Sequence, residues 1–381
     1  MDESSAVLKN NHHYLKTCIL FEVLEKKPIF KAYRSFCNAV GQDVMKYPDF
    51  EFWYYRFYHG QRDFDYDRSA DPAPKTIMDI PVSLLYKITG NLDPVERTYL
   101  RSMNKFVKDV VDSHAPSFET IVITVFEDSM TWKLNDKTFT CQDQGSSCTL
   151  STPLNPGVKY DEYYLKKGLE HLSPILKMSG IQTNHLSLKI RKQSSYLDDL
   201  FPIPFHTKSV DIFVTEANQN FPFLSALNPG ELETIILNPW RIYNIVDIQR
   251  AQQRFFETEQ FKQAKHVELK SFVNQEDLVR FSHLKRFKLE LDFRKELDFP
   301  RIREIISTFE GLEKCHMLID KFGNRESFRT IGQALEVEIP FGPMLKTITH
   351  RYQIPESNEY LHFEIEDEKY SYCTIRIVKV R

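Results

Sequence analysis

Apolar residues in the first sixty positions recur at helical spacing. Leu15, Cys18, Ile19 and Val23 share one face of a helix that begins near Tyr14 and stops at Lys26-Lys27-Pro28. A second helix from Ile29 turns Tyr33, Phe36, Cys37 and Val40 to one side and ends at Gly41. A third runs from Asp49 to Tyr58, dense in aromatics, and closes at His59-Gly60. Three short helices with tight connections form a helix-turn-helix-like unit over 14–68, behind a polar tail over 1–13. Residues 69–77, rich in Pro and Ala without periodicity, read as a linker.

The next helical stretch covers 79–111. Pro81 sits at a helix entrance, and Leu84, Leu85, Ile88 and Leu92 share a face. Asp93, Pro94 and Glu96 spell the start of a second helix, with Asp93 as cap and Glu96 able to reach back to it. Its apolar face is Leu100, Met103, Val107, Val110 and Val111. The pair carries more apolar face than about thirty residues can bury among themselves. It packs on the rest of the chain as an ordinary helical hairpin, or it lends part of that face to a partner.

Beyond Val111 the pattern turns extended. Thr120–Phe126 is β-branched and apolar, and alternating runs flank Asn135-Asp136, a hairpin signal. Residues 144–157 read as a surface loop, and Tyr164, Leu165, Leu169, Leu172, Ile175 and Leu176 as a helix. From about 180 a short apolar motif repeats: Thr183, Leu186 and Leu188; Leu232, Ile235 and Leu237; Ala264, Val267 and Leu269; Leu284, Phe287 and Leu289; Leu312, Cys315 and Met317. Val210, Ile212 and Val214 supply one more strand, and helical stretches such as Val246–Phe261 and Ile302–Phe309 lie between copies. The expected class is α+β or α/β, with small helical modules ahead of a leucine-rich-repeat-like solenoid. A general α/β domain with coincidental leucine spacing is the alternative. Tyr360–Ile365 and Cys373–Val378, turned by Asp367-Glu368-Lys369, form an antiparallel pair fit to cap the stack.

Composition narrows the function. The chain has 381 residues, enough for two or three domains, and a formal net charge of −3, which gives no broad basic field for nucleic acid. Its six cysteines are scattered without a C-x-x-C pair, as buried thiols in a reducing compartment would be. The acidic, polar N-terminus is not a signal peptide, and no apolar run is long enough for a bilayer. An intracellular protein, cytoplasmic or nuclear and without a membrane partner, is expected. Catalytic signatures are missing: there is no G-x-S-x-G, G-x-x-x-x-G-K or H-E-x-x-H, so no catalytic residue, metal or cofactor is assigned. Asp63-Phe-Asp65-Tyr-Asp67 suggests calcium, but Arg68 and Pro74 stand where an EF-hand loop needs Gly and Glu. Lone histidines, among them His12-His13, His185, His266, His283 and His362, lack companion ligands at metal spacing.

Three resemblances organise these segments. FEVLEKKPIFKAYRSFCNAVGQDVM followed by FEFWYYRFYHGQRDFDYDRS resembles the N-terminal helix-turn-helix of mariner-type transposases. There the run W-x-x-R-F-x-x-G enters DNA, and it is matched here by Trp53, Arg56, Phe57 and Gly60. Asp49, Glu51, Asp63, Asp65, Asp67 and Asp71 outnumber Arg56, Arg62 and Arg68, the reverse of what phosphate contact requires, so nucleic acid is not an expected partner. Ile80-Pro81, Leu84-Leu85, Ile88, Leu92-Asp93-Pro94, Arg97 and Leu100-Arg101 resemble an F-box over 78–118. Ile80 stands where Leu is usual, and Met103-Asn104 replaces a Val-Cys pair. Residues 119–381 resemble the FTH domain of nematode-type F-box A proteins, a family that shares this order of parts.

The resemblance implies a subunit of a cullin-type ubiquitin ligase that recognises a target and acts by binding. Pro81, Leu84, Leu85, Ile88, Leu92 and Leu100 would face a Skp-family adaptor, the helix-in-groove mode. Outward strand residues Asp211, Phe213, Glu268, Lys288, Glu290 and His316 would face an unknown protein substrate. A pure interaction protein, or a DNA-associated one using the helix-turn-helix, is the alternative.

Overall fold

The computed structural model describes residues 11–71, 76–192, 194–214, 220–239, 245–292, 297–320, 327–335, 347–367 and 372–380. Most of the tail, part of the linker with Pro74, and Glu368-Lys369 of the last turn lie outside them. The chain divides into two units, Met1–Asp79 and Ile80–Arg381.

The first unit holds α1 (His12–Leu24), α2 (Ile29–Val40) and α3 (Tyr47–Tyr58). Asn11 caps α1 by accepting from the His13 amide. Gly41 ends α2 at φ +110°, a conformation that a Cβ would strain. Pro48 in its first turn lets α3 start two residues earlier than its aromatic run suggests. Leu15, Ile19, Phe36, Phe50, Trp53 and Phe57 belong to one buried cluster. Rings stack edge and tilt across it, as with Phe36 and Phe50 at 5.2 Å. Tyr54 donates to the Lys27 carbonyl at 2.6 Å and ties α3 to the α1–α2 turn.

The second unit opens with α4 (Val82–Gly90), α5 (Pro94–Arg101) and α6 (Lys105–Asp112). The single helix expected from Asp93 to Val111 is two helices. Asn104 interrupts it: extended, its side chain accepts from the Val107 amide and starts a fresh helix. Arg101 and Asp112 close the resulting pair through a forked ion pair, with Nε to Oδ1 at 2.6 Å and Nη2 to Oδ2 at 3.2 Å.

Among the described residues, fourteen strands form one sheet in the order β12-β13-β14-β11-β10-β9-β8-β7-β6-β1-β2-β3-β4-β5. β1 (Ser117–Val125), β6 (Gln182–Ile190), β7 (His206–Val214), β8 (Thr234–Pro239), β9 (His266–Val273), β10 (Arg286–Leu291) and β11 (Lys314–Asp320) are parallel neighbours. β2 (Ser129–Leu134), β3 (Lys137–Asp143), β4 (Cys148–Ser151) and β5 (Val158–Tyr160) extend one side antiparallel. β14 (Tyr372–Val380), β13 (Tyr360–Asp367) and β12 (Thr347–Gln353) extend the other. Asn135 takes the left-handed turn position at φ +55°, as the hairpin signal requires. The expected loop over 144–157 contains β4; Cys148 and Leu150 are buried, but two apolar residues among turn formers leave little periodicity.

Leu186, Val210, Ile235, Val267, Phe287 and Cys315 stand opposite one another strand to strand, and so do Leu188, Ile212, Leu237, Leu269, Leu289 and Met317. All twelve are buried in one cluster with α7 (Tyr164–Leu176) and Val95 of α5. This makes the fold α+β, with helices ahead of a large mixed sheet. A regular leucine-rich-repeat solenoid does not follow. The connections are unlike one another: a short 3₁₀ turn over Gln275–Phe281 joins β9 to β10, while two helices, Ile245–Phe256 and Glu259–Gln263, join β8 to β9. That pair replaces the single helix expected over 246–261, because Thr258 caps a new start.

Candidate functional site

The apolar ridge on α4 comes first. Pro81, Leu84 and Ile88 fall at i, i+3 and i+7, one stripe of a helix. The stripe is open: Leu84 is 49% and Ile88 42% exposed. Val82 and Tyr86 form a second exposed pair on the other flank. Leu85, about 100° further round α4 from Leu84, is buried at 1%, so in this structure it holds α4 to the unit and offers no surface. Leu92 and Leu100 are half-buried.

What holds the ridge in place is polar. Arg97 donates from Nε to the Leu92 carbonyl and from Nη2 to the Gly90 carbonyl, both at 3.0 Å, satisfying acceptors that the end of α4 leaves without partners. His114 stacks on Tyr86 with ring centres 3.9 Å apart, and its Nε2 lies 3.0 Å from both Thr89 Oγ1 and the Tyr86 carbonyl. Asp93 and Glu96 complete the capping box of α5. Lys137 and Asn135, on the β2–β3 hairpin, reach the Asp93 carboxylate at 3.1 and 3.2 Å. Burial pushes the Asp93 carboxyl up, but the Val95 amide, Lys137 and Asn135 outweigh it and hold it below the usual carboxylate range. The F-box-like helices are thereby pinned to the sheet.

The outer sheet face is the second surface. Asp211, Phe213, Glu268, Lys288, Glu290 and His316 alternate with buried strand positions and are half-exposed, as outward residues should be. The register brings three of them together: Lys288 stands between Glu268 and His316 in one row. Asp211 continues that row beyond Ile236. Phe213 and Glu290 sit on the strand positions further along. Several already have partners. Asn238 donates to Asp211 at 2.7 Å, and Lys288 pairs with Glu268 at 3.2 Å. A hollow of about 250 Å³ opens over Glu268, Lys288 and His316, and it is also lined by Thr234, Ile236, His266, Arg286 and Lys314. Sequence reading missed Arg286 and Lys314. Each stands two positions before a residue it did name, the spacing that puts both on one face.

The transposase-like unit does not present its DNA-type residues. Trp53 and Phe57 are core, at 7% and 3% exposure. Lys16 lies over Trp53 at 3.8 Å and donates to the Phe64 carbonyl, while Arg56 lies over Tyr66 at 3.3 Å. Arg68 is paired with Asp49. Among the described residues no group of three or more His, Cys, Asp or Glu could hold a metal. Nor is any described helix long and apolar enough to cross a membrane. Of the six cysteines four are buried, while Cys18 and Cys37 are half-buried.

Comparison with known proteins follows the same division. Residues 12–61 match the helix-turn-helix domain of Mos1 transposase, and residues 196–332 match the FTH domain. The FTH match begins after β6, so the meander, α7 and the first parallel strands lie outside it. A transposase-type helix-turn-helix followed by an FTH domain supports a likeness to nematode F-box A-type proteins. In keeping with this, the chain is 27% identical over 329 residues to F-box A protein 224 of Caenorhabditis elegans, covering 80% of this chain and 83% of that one. No solved structure matches.

Proposed function

We propose that this protein is the substrate-recognition subunit of a Skp–cullin–F-box ubiquitin ligase. The α4 ridge docks in a groove of a Skp-family adaptor, and the outer sheet face holds a target protein. The observation that carries the reading is the open stripe of Pro81, Leu84 and Ile88 on a helix otherwise fastened to its unit. Apolar side chains left half in water on a pinned helix suit helix-in-groove binding. The likeness to an F-box A protein and the FTH match support the same role, an adaptor and not an enzyme.

The test is Leu84→Asp. In a docked complex this change places an unpaired charge in an apolar groove, at a cost of several kcal/mol. Capture of a Skp-family adaptor should disappear while the melting temperature of the free protein stays put, because Leu84 is already half-exposed. Adaptor capture at wild-type strength by the Asp variant would defeat the proposal.

A further inference from the structure

The hollow on the outer sheet face has a chemistry of its own. Among the described residues three cations line it, Arg286, Lys288 and Lys314, against one carboxylate, Glu268. Arg286 is matched by Glu313 at 2.9 Å, and Lys288 shares Glu268 with Lys270. Lys314 is exposed and forms no ion pair among the described residues. His316, beside it, has an Nε2 with no hydrogen-bond partner among the described residues. The register places Lys288 and Arg376 on either side of His316, so one imidazole has a cation on each neighbouring strand. Burial, then Lys288, Arg376 and Lys314, push this imidazole below its ordinary value, and only Glu268 opposes them. Such surroundings favour an incoming negative charge.

We propose, resting on the reading of this face as the target-binding surface, that the hollow takes an acidic side chain of an extended peptide segment, its carboxylate held between Lys288, Lys314 and His316. The volume of about 250 Å³ falls below that of a drug-sized ligand site and suits side chains. A nucleic acid fits less well. Phe287, which lines the hollow, is 3% exposed and belongs to the buried core, so it offers no open face to stack a base, and Glu364 and Glu366 crowd Arg376 while Asp211 lies further along the same row. A chain of phosphates crossing that face would meet these carboxylates, whereas one acidic side chain among neutral ones would not.

The experiment uses the purified full chain and fluorescence anisotropy with a labelled peptide of alternating Glu and Ser, its Gln-Ser counterpart, and a single-stranded oligothymidine of equal charge. The Glu peptide should bind about tenfold tighter than the Gln peptide. K288E/K314E should erase that preference, and K314Q, at an exposed position without an ion pair, should reduce it. K159E/K262E makes the same charge change elsewhere and should leave it intact. Equal binding of the two peptides, a preference that survives K288E/K314E, or tighter binding of the oligothymidine would each overturn the proposal. Adaptor capture by the same proteins separates this inference from the ligase role. A wild-type chain that prefers the Glu peptide but captures no adaptor keeps the acid-binding hollow and loses the ligase reading.

Discussion

Replacing Asp93 with Ala tests how the F-box-like helices are held. The side chain does two jobs: it caps α5 through the Val95 amide at 2.8 Å, and it receives Lys137 at 3.1 Å. Losing an N-cap costs about 1 kcal/mol. Losing a hydrogen bond to a charged partner costs about 1.5–3 kcal/mol, and the full range applies because Lys137 and Asp93 are only 21% and 23% exposed. Glu96, 3.3 Å from Lys137, recovers part of the second loss. The expected total is about 2–4 kcal/mol. Asp93→Asn keeps the cap and loses the charge, so about 1–2 kcal/mol is expected. The assay is urea unfolding of the sheet-bearing unit, followed by circular dichroism. Acid gives a second reading. The folded Asp93 carboxyl lies below its unfolded value of about 3.9, so its contribution is complete above that pH and is lost as pH falls through the lower folded value. The gap between wild type and Asp93→Ala should therefore narrow below about pH 4, toward the difference between the Asn and Ala variants. Equal losses in the Ala and Asn variants would remove the cap from the account, and a loss in Asp93→Ala under about 0.5 kcal/mol would refute the tether.

Leu84→Ala and Leu85→Ala, neighbours in sequence, should separate binding from folding. The first should weaken adaptor binding severalfold with an unchanged melt, while the second should destabilise the fold by about 2–5 kcal/mol; a similar melt for both would refute the facing assigned to α4. A titration of duplex DNA against the first unit's surface, using the full chain, should show no affinity that falls steeply with salt; a steep slope would restore the DNA-associated reading.

Much of this structure was legible from residue order. The capping box at Asp93 and Glu96, the Asn135 turn and the inward strand positions each depend on a few neighbouring residues, and each formed as the pattern indicates. Three features were not legible, for three reasons. Leu84 and Leu85 lie about 100° apart around α4, and periodicity cannot say which of two adjacent leucines the sheet will claim. Asn104 competes as a cap only once the chain is free to restart there, so the break at Ser102-Met103 leaves no mark in the apolar spacing. The hollow needs residues from several strands side by side, and strand register is a long-range property: Lys288 and His316 are 28 positions apart and adjacent in space.

The sheet also works as a ruler. Its parallel strands follow one another in chain order, and the hairpin that anchors α5 lies at β2–β3 while the cationic hollow lies over β8 to β11. At about 4.8 Å per strand, β2 and β10 are six steps and roughly 30 Å apart along the sheet. Inserting or deleting one strand with its connection would move the grip by one step and leave the Asp93–Lys137 anchor untouched. The distance between the α5 anchor and the hollow is thus set by strand count, and it can change without rebuilding either end.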